Sequence, residues 1–327
     1  MKLCIIGSRG HYGYVFEEIG RFPEVEIIGI STGCADDVSR LMGDCQRAGA
    51  SPIIYEDYLK MLDELRPDAV VINGPFALHA QMTLEAMGRG IHLLCEKPIA
   101  LALDDLDRIE AAYYKTEGIV LMSMVGLRYE PGFMAAWKKL QEGAIGKVKL
   151  IHTQKSYKLG NRPDYYKSRE AYGGTIPWVG SHALDWIYWF SGSDFGSVLA
   201  SHSMEDNFEN GELEIAAQCQ FQMKNGVQAS ASIDFLRPPG SPTHGDDRIR
   251  VAGTRGVIEV IGGRVTLLDD KGEHEIPLSA DPRLFSDFVG QIQGTSKGLV
   301  SAKDTFNLTR ACLIARESAD TGQLIHF

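Results

Sequence analysis

Seven residues near the start of the chain carry the first chemical signal. Gly7-Ser8-Arg9-Gly10-His11-Tyr12-Gly13 follows a short apolar run, Leu3 to Ile6, and precedes a stretch that reads as a helix, Tyr14 to Arg21. Glycine between a first strand and a first helix suits pyrophosphate binding. It permits a tight turn, close approach of the backbone to the phosphates, and close packing of helix on strand. Gly10 and Gly13 match the last two glycines of G-x-G-x-x-G; Ser8 stands where the first should be, with Gly7 just before it. Ser8, Arg9, Gly10, His11 and Tyr12 are therefore the candidate phosphate loop of a dinucleotide site.

The end of the second strand bears on which dinucleotide. Glu26 to Ile30 is followed by Ser31-Thr32-Gly33, where an acidic residue would bind the adenosine ribose and repel a 2'-phosphate. Ser31 and Thr32 leave room for that phosphate and Arg9 is a cation to pair with it, which favours NADP slightly over NAD. If Asp36 or Asp37 takes the acidic role from the following loop, NAD is favoured instead.

Other chemistries find no support. Cys4, Cys34, Cys45, Cys95, Cys219 and Cys312 are scattered, without Cys-x-x-Cys, so zinc ligation and a disulfide framework are not expected. His92, His152, His202, His244, His274 and His326 show no metal-ligand spacing, and no metal site is assigned.

These residues need a scaffold, and the apolar pattern describes one. After Glu26 to Ile30, further apolar runs occur at Ala69 to Ile72, Ile91 to Cys95 and Ile119 to Met124. Between them Asp57 to Leu65, His79 to Arg89 and Leu103 to Glu117 repeat apolar residues at helical spacing, the last ending at Gly118. Strand and helix in turn, with uninterrupted apolar strands, predict a parallel sheet covered on both faces. The rhythm then changes. Ile215 to Met223 and Val227 to Phe235 alternate apolar and polar residues about Asn225-Gly226, the strongest short hairpin signal. Arg248 to Ala252 with Val257 to Ile261, and Arg264 to Leu268 with Glu275 to Leu278, read as further hairpins; Ala302 to Ala319 reads as a closing helix. The expected fold class is α/β: a doubly wound parallel sheet over residues 1–123, then an α+β domain over 124–327 built on an open, mainly antiparallel sheet.

Composition agrees. At 327 residues the chain is long for one domain, and 44% hydrophobic with 23% charged residues supports a real core. A net charge of -10 disfavours nucleic acid and anionic membrane surfaces as partners. The run Met1 to Gly7 is too short for a secretory segment and nothing approaches a bilayer span, so a cytoplasmic location is expected.

At Cys95-Glu96-Lys97-Pro98 the chain resembles the Gfo/Idh/MocA family of oxidoreductases, which includes glucose–fructose oxidoreductase and inositol dehydrogenase. The resemblance extends over nearly the whole chain, through Asp68 to Pro75 with His79, Arg128 to Phe133, Gly143 to Val148, and Gly173-Gly174 followed by Gly180-Ser181-His182-Ala183-Leu184-Asp185. It implies a Rossmann domain and a hydride transfer between nicotinamide and a sugar, polyol or related hydroxy or keto compound. Lys97 would sit near the nicotinamide and polarise the reacting oxygen, and His182 would be the acid/base. Glu96 would shape the turn, with Pro98 after a cis bond, and Asn73, Pro75 and His79 would line the cofactor. The stretch holding Tyr157, Lys158, Arg162, Asp164, Tyr165, Tyr166, Lys167 and Arg169 would lie over the substrate, with Arg128, Tyr157, Arg162, Tyr165 and Trp178 as contacts suited to a polyhydroxylated or acidic ligand; a solvated loop is the plainer reading of that stretch. The resemblance also implies a homo-oligomer, dimer or tetramer, joined through the polar face with Gln218, Gln220, Gln222, Ser230 and Ser232.

One departure matters. The family places Asp four residues before the histidine; here that residue is Trp178. Indole cannot exchange a proton usefully, so either His182 works with Lys97 alone or Asp185, one turn later, orients the imidazole and joins the catalytic set. The same departure leaves two alternatives: a non-catalytic NAD(P)-binding sensor, and an NAD-dependent glycoside-cleaving enzyme on the same scaffold.

Overall fold

The structure is a computed structural model, describing residues 1–278 and 283–327. The chain forms two compact units, one of residues 1–126 with 282–306, the other of 127–281 with 307–327. The helix Leu284–Ile292 belongs to the first unit.

Six strands form the first sheet: β1 (Lys2–Ile6), β2 (Glu26–Ser31), β3 (Ile53–Tyr55), β4 (Ala69–Ile72), β5 (His92–Cys95) and β6 (Leu121–Ser123). They are parallel in the order β3-β2-β1-β4-β5-β6, so the chain runs outward one way and then restarts at β1. Helices α1 (Gly13–Phe16), α2 (Ser39–Arg47), α3 (Tyr58–Leu65), α4 (His79–Met87) and α5 (Leu103–Tyr113) connect the strands. Leu3 to Ile6 and Ala69 to Ile72 have no exposed surface, as a sheet covered on both faces requires. Loops at the carboxyl ends of β1 and β4 sit where the order reverses, the place such sheets bind ligands.

The helix expected over Tyr14 to Arg21 is broken. It stops at Phe16 and resumes as one 3-10 turn, Ile19–Arg21. Glu18 leaves helical geometry at φ -133, and its buried carboxylate instead accepts from Ser286 N at 2.8 Å and Ser286 Oγ at 3.0 Å. A long-range bond that periodicity cannot register thus overrides the local pattern.

The second unit holds a nine-stranded sheet: β7 (Val148–Tyr157), β8 (Phe195–Ser203), β9 (Ala216–Met223), β10 (Gln228–Asp234), β11 (Gly245–Gly253), β12 (Gly256–Ile261), β13 (Arg264–Asp269), β14 (Gly272–Ile276) and β15 (Ile325–His326). The order is β14-β13-β12-β11-β7-β10-β9-β8-β15, and only the β7–β10 pair is parallel. The β9–β10 hairpin closes about Asn225-Gly226, with Gly226 at φ 85. The second strand of the last hairpin begins at Gly272, not Glu275, because Gly272 pairs directly with Asp269 across a two-residue turn. Along β9 and β10 the apolar residues are buried and Gln218, Gln220 and Gln222 exposed.

Helices α6 (Pro131–Gln141), α7 (Arg169–Tyr172), α8 (Thr175–Trp178) and α9 (Gly180–Ser191) belong to this unit, and α9 packs on β7 and β10. Helix α10 (Leu284–Ile292) belongs to the first unit, and α11 (Ala302–Thr321) is the long helix near the chain's end. Trp186 on α9 is fully buried and stacks on Phe133 of α6 at 4.1 Å, 9° from parallel. Gly180 lets α9 begin close to the sheet, since a Cβ there would lie 2.6 Å from Ile233 Cδ1. Gly180→Ala should therefore cost about 1–3 kcal/mol by overpacking. Ile233→Val removes the obstructing methyl group and should recover part of that loss. Denaturant midpoints of the two single variants and the double variant measure this; a double variant no better than Gly180→Ala alone would show that the contact does not set the helix position.

Candidate active site

The loop Gly7 to Gly13 is held from three directions within the first unit. Gly7 N donates to Ser31 O at 2.8 Å. Arg9 N donates to Asn73 O at 2.8 Å, and Asn73 Nδ2 returns a bond to Arg9 O at 2.6 Å. His11 donates its backbone N–H to Glu96 Oε2 at 2.6 Å, and its Nδ1 lies 2.7 Å from the same oxygen. Gly7 at φ 72 and Gly10 at φ 67 need the left-handed region. A Cβ on Gly10 would stand 2.3 Å from Glu96 Oε2, so glycine is required there to admit the carboxylate. Gly13 has an ordinary backbone and open space around its Cα.

Glu96 has no exposed surface, and Lys97 N donates to its Oε1 at 2.9 Å. Burial pushes the Glu96 pKa up, but His11 and Lys97 outweigh it and hold the carboxyl below its ordinary value. Lys97 itself is buried, at the turn after β5, and a cis peptide precedes Pro98. His79 has no exposed surface; its Nδ1 is 2.8 Å from Pro98 O and its Nε2 3.1 Å from Gly74 O. Burial lowers its pKa, against the pull of those oxygens and Glu96. His79 therefore braces the Pro98 turn from behind and does not line a ligand surface. Ser31 and Asn73 are likewise fully buried, whereas Ser8, Arg9, His11, Thr32 and Pro75 are partly accessible and Tyr12 nearly buried.

Arg9 is engaged: Nε and Nη2 donate to Asp36 Oδ1 at 2.9 and 2.7 Å. Burial raises the Asp36 pKa, against Arg9, and Asp36 Oδ2 is buried without a hydrogen-bond donor. An open recess of about 910 Å³ lies beside the loop, lined by Ser8, Gly10, His11, Tyr12, Arg40 and Asp44 among others. The glycine cradle, the carboxylate behind it and the vacant acceptor Oδ2 fit a dinucleotide.

In the second unit His182 is nearly buried in the first turn of α9. Asp185 and Arg128 pair with each other. Arg128 Nε lies 3.1 and 2.9 Å from Asp185 Oδ1 and Oδ2, and Nη2 lies 2.6 Å from Oδ1. Both side chains are 2% exposed or less, and the guanidinium also sits 5.5 Å from the Trp189 ring. A buried bidentate pair ties the residues before α6 to α9. Trp178 is 6% exposed and packs 6.0 Å from Tyr166, and Trp178 O accepts from Ser181 Oγ at 2.7 Å. Tyr165 stands 4.6 Å from Tyr166.

Arg162 and Tyr157 do come together. The Arg162 guanidinium lies 4.8 Å from the Phe235 ring, which is 6.5 Å from Tyr157. Beside them is Lys155, which the sequence reading passed over; it is 1% exposed, 2.5 Å from Asp247 Oδ2 and 4.5 Å from the Tyr157 ring. Burial lowers its pKa, against Asp247 and Glu130. The missed signal was a lysine at an apolar phase of a strand, since Ile151, Thr153, Lys155 and Tyr157 alternate on β7. Among the described residues, no cluster of His, Cys, Asp and Glu is placed to hold a metal ion, and no helix is long and apolar enough to cross a membrane.

The depressed Glu96 pKa makes a pH prediction. The unfolded chain binds this proton more readily than the folded one, so the contribution of Glu96 to stability is fully present above pH 4.5. It is lost as pH falls from there through the lower folded value. Glu96→Gln should flatten the fall in stability below about pH 5, read as unfolding midpoints across pH 3 to 7; an unchanged acid profile would remove Glu96 as its source.

Residues 1–124 match the oxidoreductase family with an NAD-binding Rossmann fold, and residues 133–259 match the Gfo/Idh/MocA C-terminal domain. A candidate oxidoreductase of solved structure from Thermotoga maritima is 47% identical, covers 100% of both chains and superposes with a TM-score of 0.97. The 1,5-anhydro-D-fructose reductase of Ensifer adhaerens is 28% identical over 269 residues, 78% of each chain. Glycosyl hydrolase family 109 protein 2 of Akkermansia muciniphila is 28% identical over 163 residues, 48% of this chain and 34% of that protein. With both halves of the chain matched in order, the protein belongs to the Gfo/Idh/MocA family of oxidoreductases.

Proposed function

We propose that this protein interconverts a CH–OH group and a carbonyl on a sugar-like or polyol-like molecule, using NAD. One observation carries the reading: Lys97 directly follows Glu96, and the Glu96 carboxylate holds the phosphate loop through His11. Nucleotide site and buried lysine are thereby fixed by one pair of residues. Bound nicotinamide supplies the hydride acceptor or donor. The protein supplies the rest. In this reading Ser8, Gly10 and the His11 region hold the phosphates, and the Lys97 ammonium polarises the carbonyl oxygen or steadies the alkoxide. His182 takes the hydroxyl proton on oxidation and returns it on reduction.

Cofactor preference reads differently once Asp36 is seen. The sequence left Arg9 available to a 2'-phosphate and so leaned to NADP. Its engagement with Asp36, and the vacant buried acceptor Asp36 Oδ2, support NAD: a ribose hydroxyl donates to that oxygen, and a phosphate is repelled by it.

A second reading draws on the partial likeness to the glycosyl hydrolase family 109 protein. It differs in having no net cofactor turnover. Absorbance at 340 nm separates the two. NAD and NADP are offered separately with a panel of polyols, aldoses and sugar acids. Reduction with one sugar class supports the dehydrogenase; silence, with release of nitrophenol from nitrophenyl glycosides, supports the hydrolase.

Lys97→Met should leave nucleotide affinity within a few-fold and lower turnover about 100-fold or more; unchanged turnover would remove Lys97 from the chemistry. Asp36→Ala should raise the NADP to NAD ratio of kcat/KM about tenfold, in line with one lost charge-assisted bond. An unmoved ratio would mean Asp36 does not read the ribose.

A further inference from the structure

We infer that the second unit contains a subsite for an anionic group, so that the ligand is an acidic polyhydroxylated molecule, a sugar carboxylate or sugar phosphate. The inference rests on reading this unit as the substrate-binding part of the dehydrogenase and names the class of that substrate.

The observation is a pair of unmet hydrogen-bonding atoms inside a cationic cluster. Arg162 Nε is buried and donates to nothing, although its Nη2 bonds Lys158 O at 3.0 Å. Asp247 Oδ1 is buried and accepts from nothing, although its Oδ2 meets Lys155. A buried donor and a buried acceptor left open are each costly. Both belong to one patch of the sheet. On β7 and β11, Lys155 pairs with Asp247 and Tyr157 with Gly245; beyond Tyr157, Lys158 bridges to Leu236, next to the Phe235 ring on which Arg162 lies. The His244 ring lies 4.9 Å from that of Tyr157, tilted by 34°. A ligand offering an acceptor to Arg162 and a hydroxyl to Asp247 satisfies both atoms.

Charge decides the kind of acceptor. Lys155, Lys158 and Arg162 bring three cations, Lys158 Nζ donating to Ser241 O, against the carboxylates of Asp247 and of Glu130, which also acts on Lys155. Two more acids are near: Asp246 is held by Arg237 at 3.2 Å and Arg248 at 2.7 Å, and Asp234 accepts from Ser156 Oγ at 2.6 Å. Burial lowers the pKa of His244, helped by Arg162, Lys155 and Lys158 and opposed by Asp247. A buried, open guanidinium nitrogen, with the Lys155 ammonium on the same patch of sheet, favours an anion over a neutral oxygen. The patch adjoins the helix bearing His182: Lys155 Nζ lies 5.8 Å from the ring of Trp186, one turn beyond that histidine on α9.

The test uses full-length protein with NAD and matched probes: D-glucose, D-gluconate and D-glucose 6-phosphate, then the corresponding sets from other aldoses. Turnover is read at 340 nm and binding by calorimetry. An anionic member should exceed its neutral counterpart about tenfold in kcat/KM or in affinity. Gluconate-type probes leading would identify a carboxylate, and phosphate-type probes leading a phosphate. Arg162→Gln should reduce that preference about tenfold, and Arg162→Lys should retain part of it; circular dichroism confirms that both variants fold. Anionic binding with preference but no turnover would keep the subsite and overturn the dehydrogenase reading. Turnover of neutral sugars with no anionic preference would do the reverse. A preference unchanged in Arg162→Gln, or no binding of any anionic probe, would overturn the subsite.

Discussion

A buried carboxylate with three donors on it organises the nucleotide-binding unit. An ionised group without exposed surface is expensive unless its oxygens are satisfied. Glu96 meets that demand with His11 N, His11 Nδ1 and Lys97 N. Each bond constrains something else. The His11 bonds draw the loop against the end of β5, and the only residue that fits in between is Gly10, without a side chain. The Lys97 bond fixes the backbone from which the lysine projects. His79 then supports the next turn by holding Pro98 O and Gly74 O. A loop that reads as three convenient glycines is in fact one side of an electrostatic clamp, with the reciprocal Arg9–Asn73 bonds closing another side.

In the second unit the comparable constraint is packing. Helix α9 carries Trp186 against Phe133 and starts where Gly180 lets it lie on Ile233. These contacts set the height and rotation of the first turn, and with them the position of His182. The residue before that turn, Trp178, adds aromatic packing against Tyr166 and a carbonyl for Ser181. Where the resemblance would put an acid, this chain thus has a wall of aromatic packing.

How much of this was legible follows from the range of the interactions. The parallel sheet was readable because its strands are apolar throughout, and the β9–β10 hairpin because Asn225-Gly226 marks it. The glycine loop and Lys97 were readable because their neighbours in sequence carry the pattern. What failed depended on partners distant in sequence. Glu18 bonds Ser286, so the first helix breaks. Asp36 meets Arg9 across 27 residues, a pairing the sequence does not show. Strand β7 escaped notice because Lys149, His152, Gln154 and Lys155 obscure its alternation, and Lys155 is buried only by virtue of Asp247, 92 residues on.

Two of the buried ion pairs in the second unit show why burial and charge alone do not mark a working site. Arg128 and Asp185 match fork to fork; guanidinium and carboxylate lie in mutual contact through both carboxylate oxygens, and the pair acts as a clamp. Lys155 and Asp247 do not match. An ammonium is a point charge and covers one oxygen, leaving Oδ1 buried and open. Folding tolerates such an atom only where other packing carries its cost, and evolution has little reason to leave it where stability is the sole requirement. The resemblance implied Arg128 and Asp185 as site residues; the structure pairs them with each other, while the pairing of Lys155 with Asp247 leaves Asp247 Oδ1 buried and open.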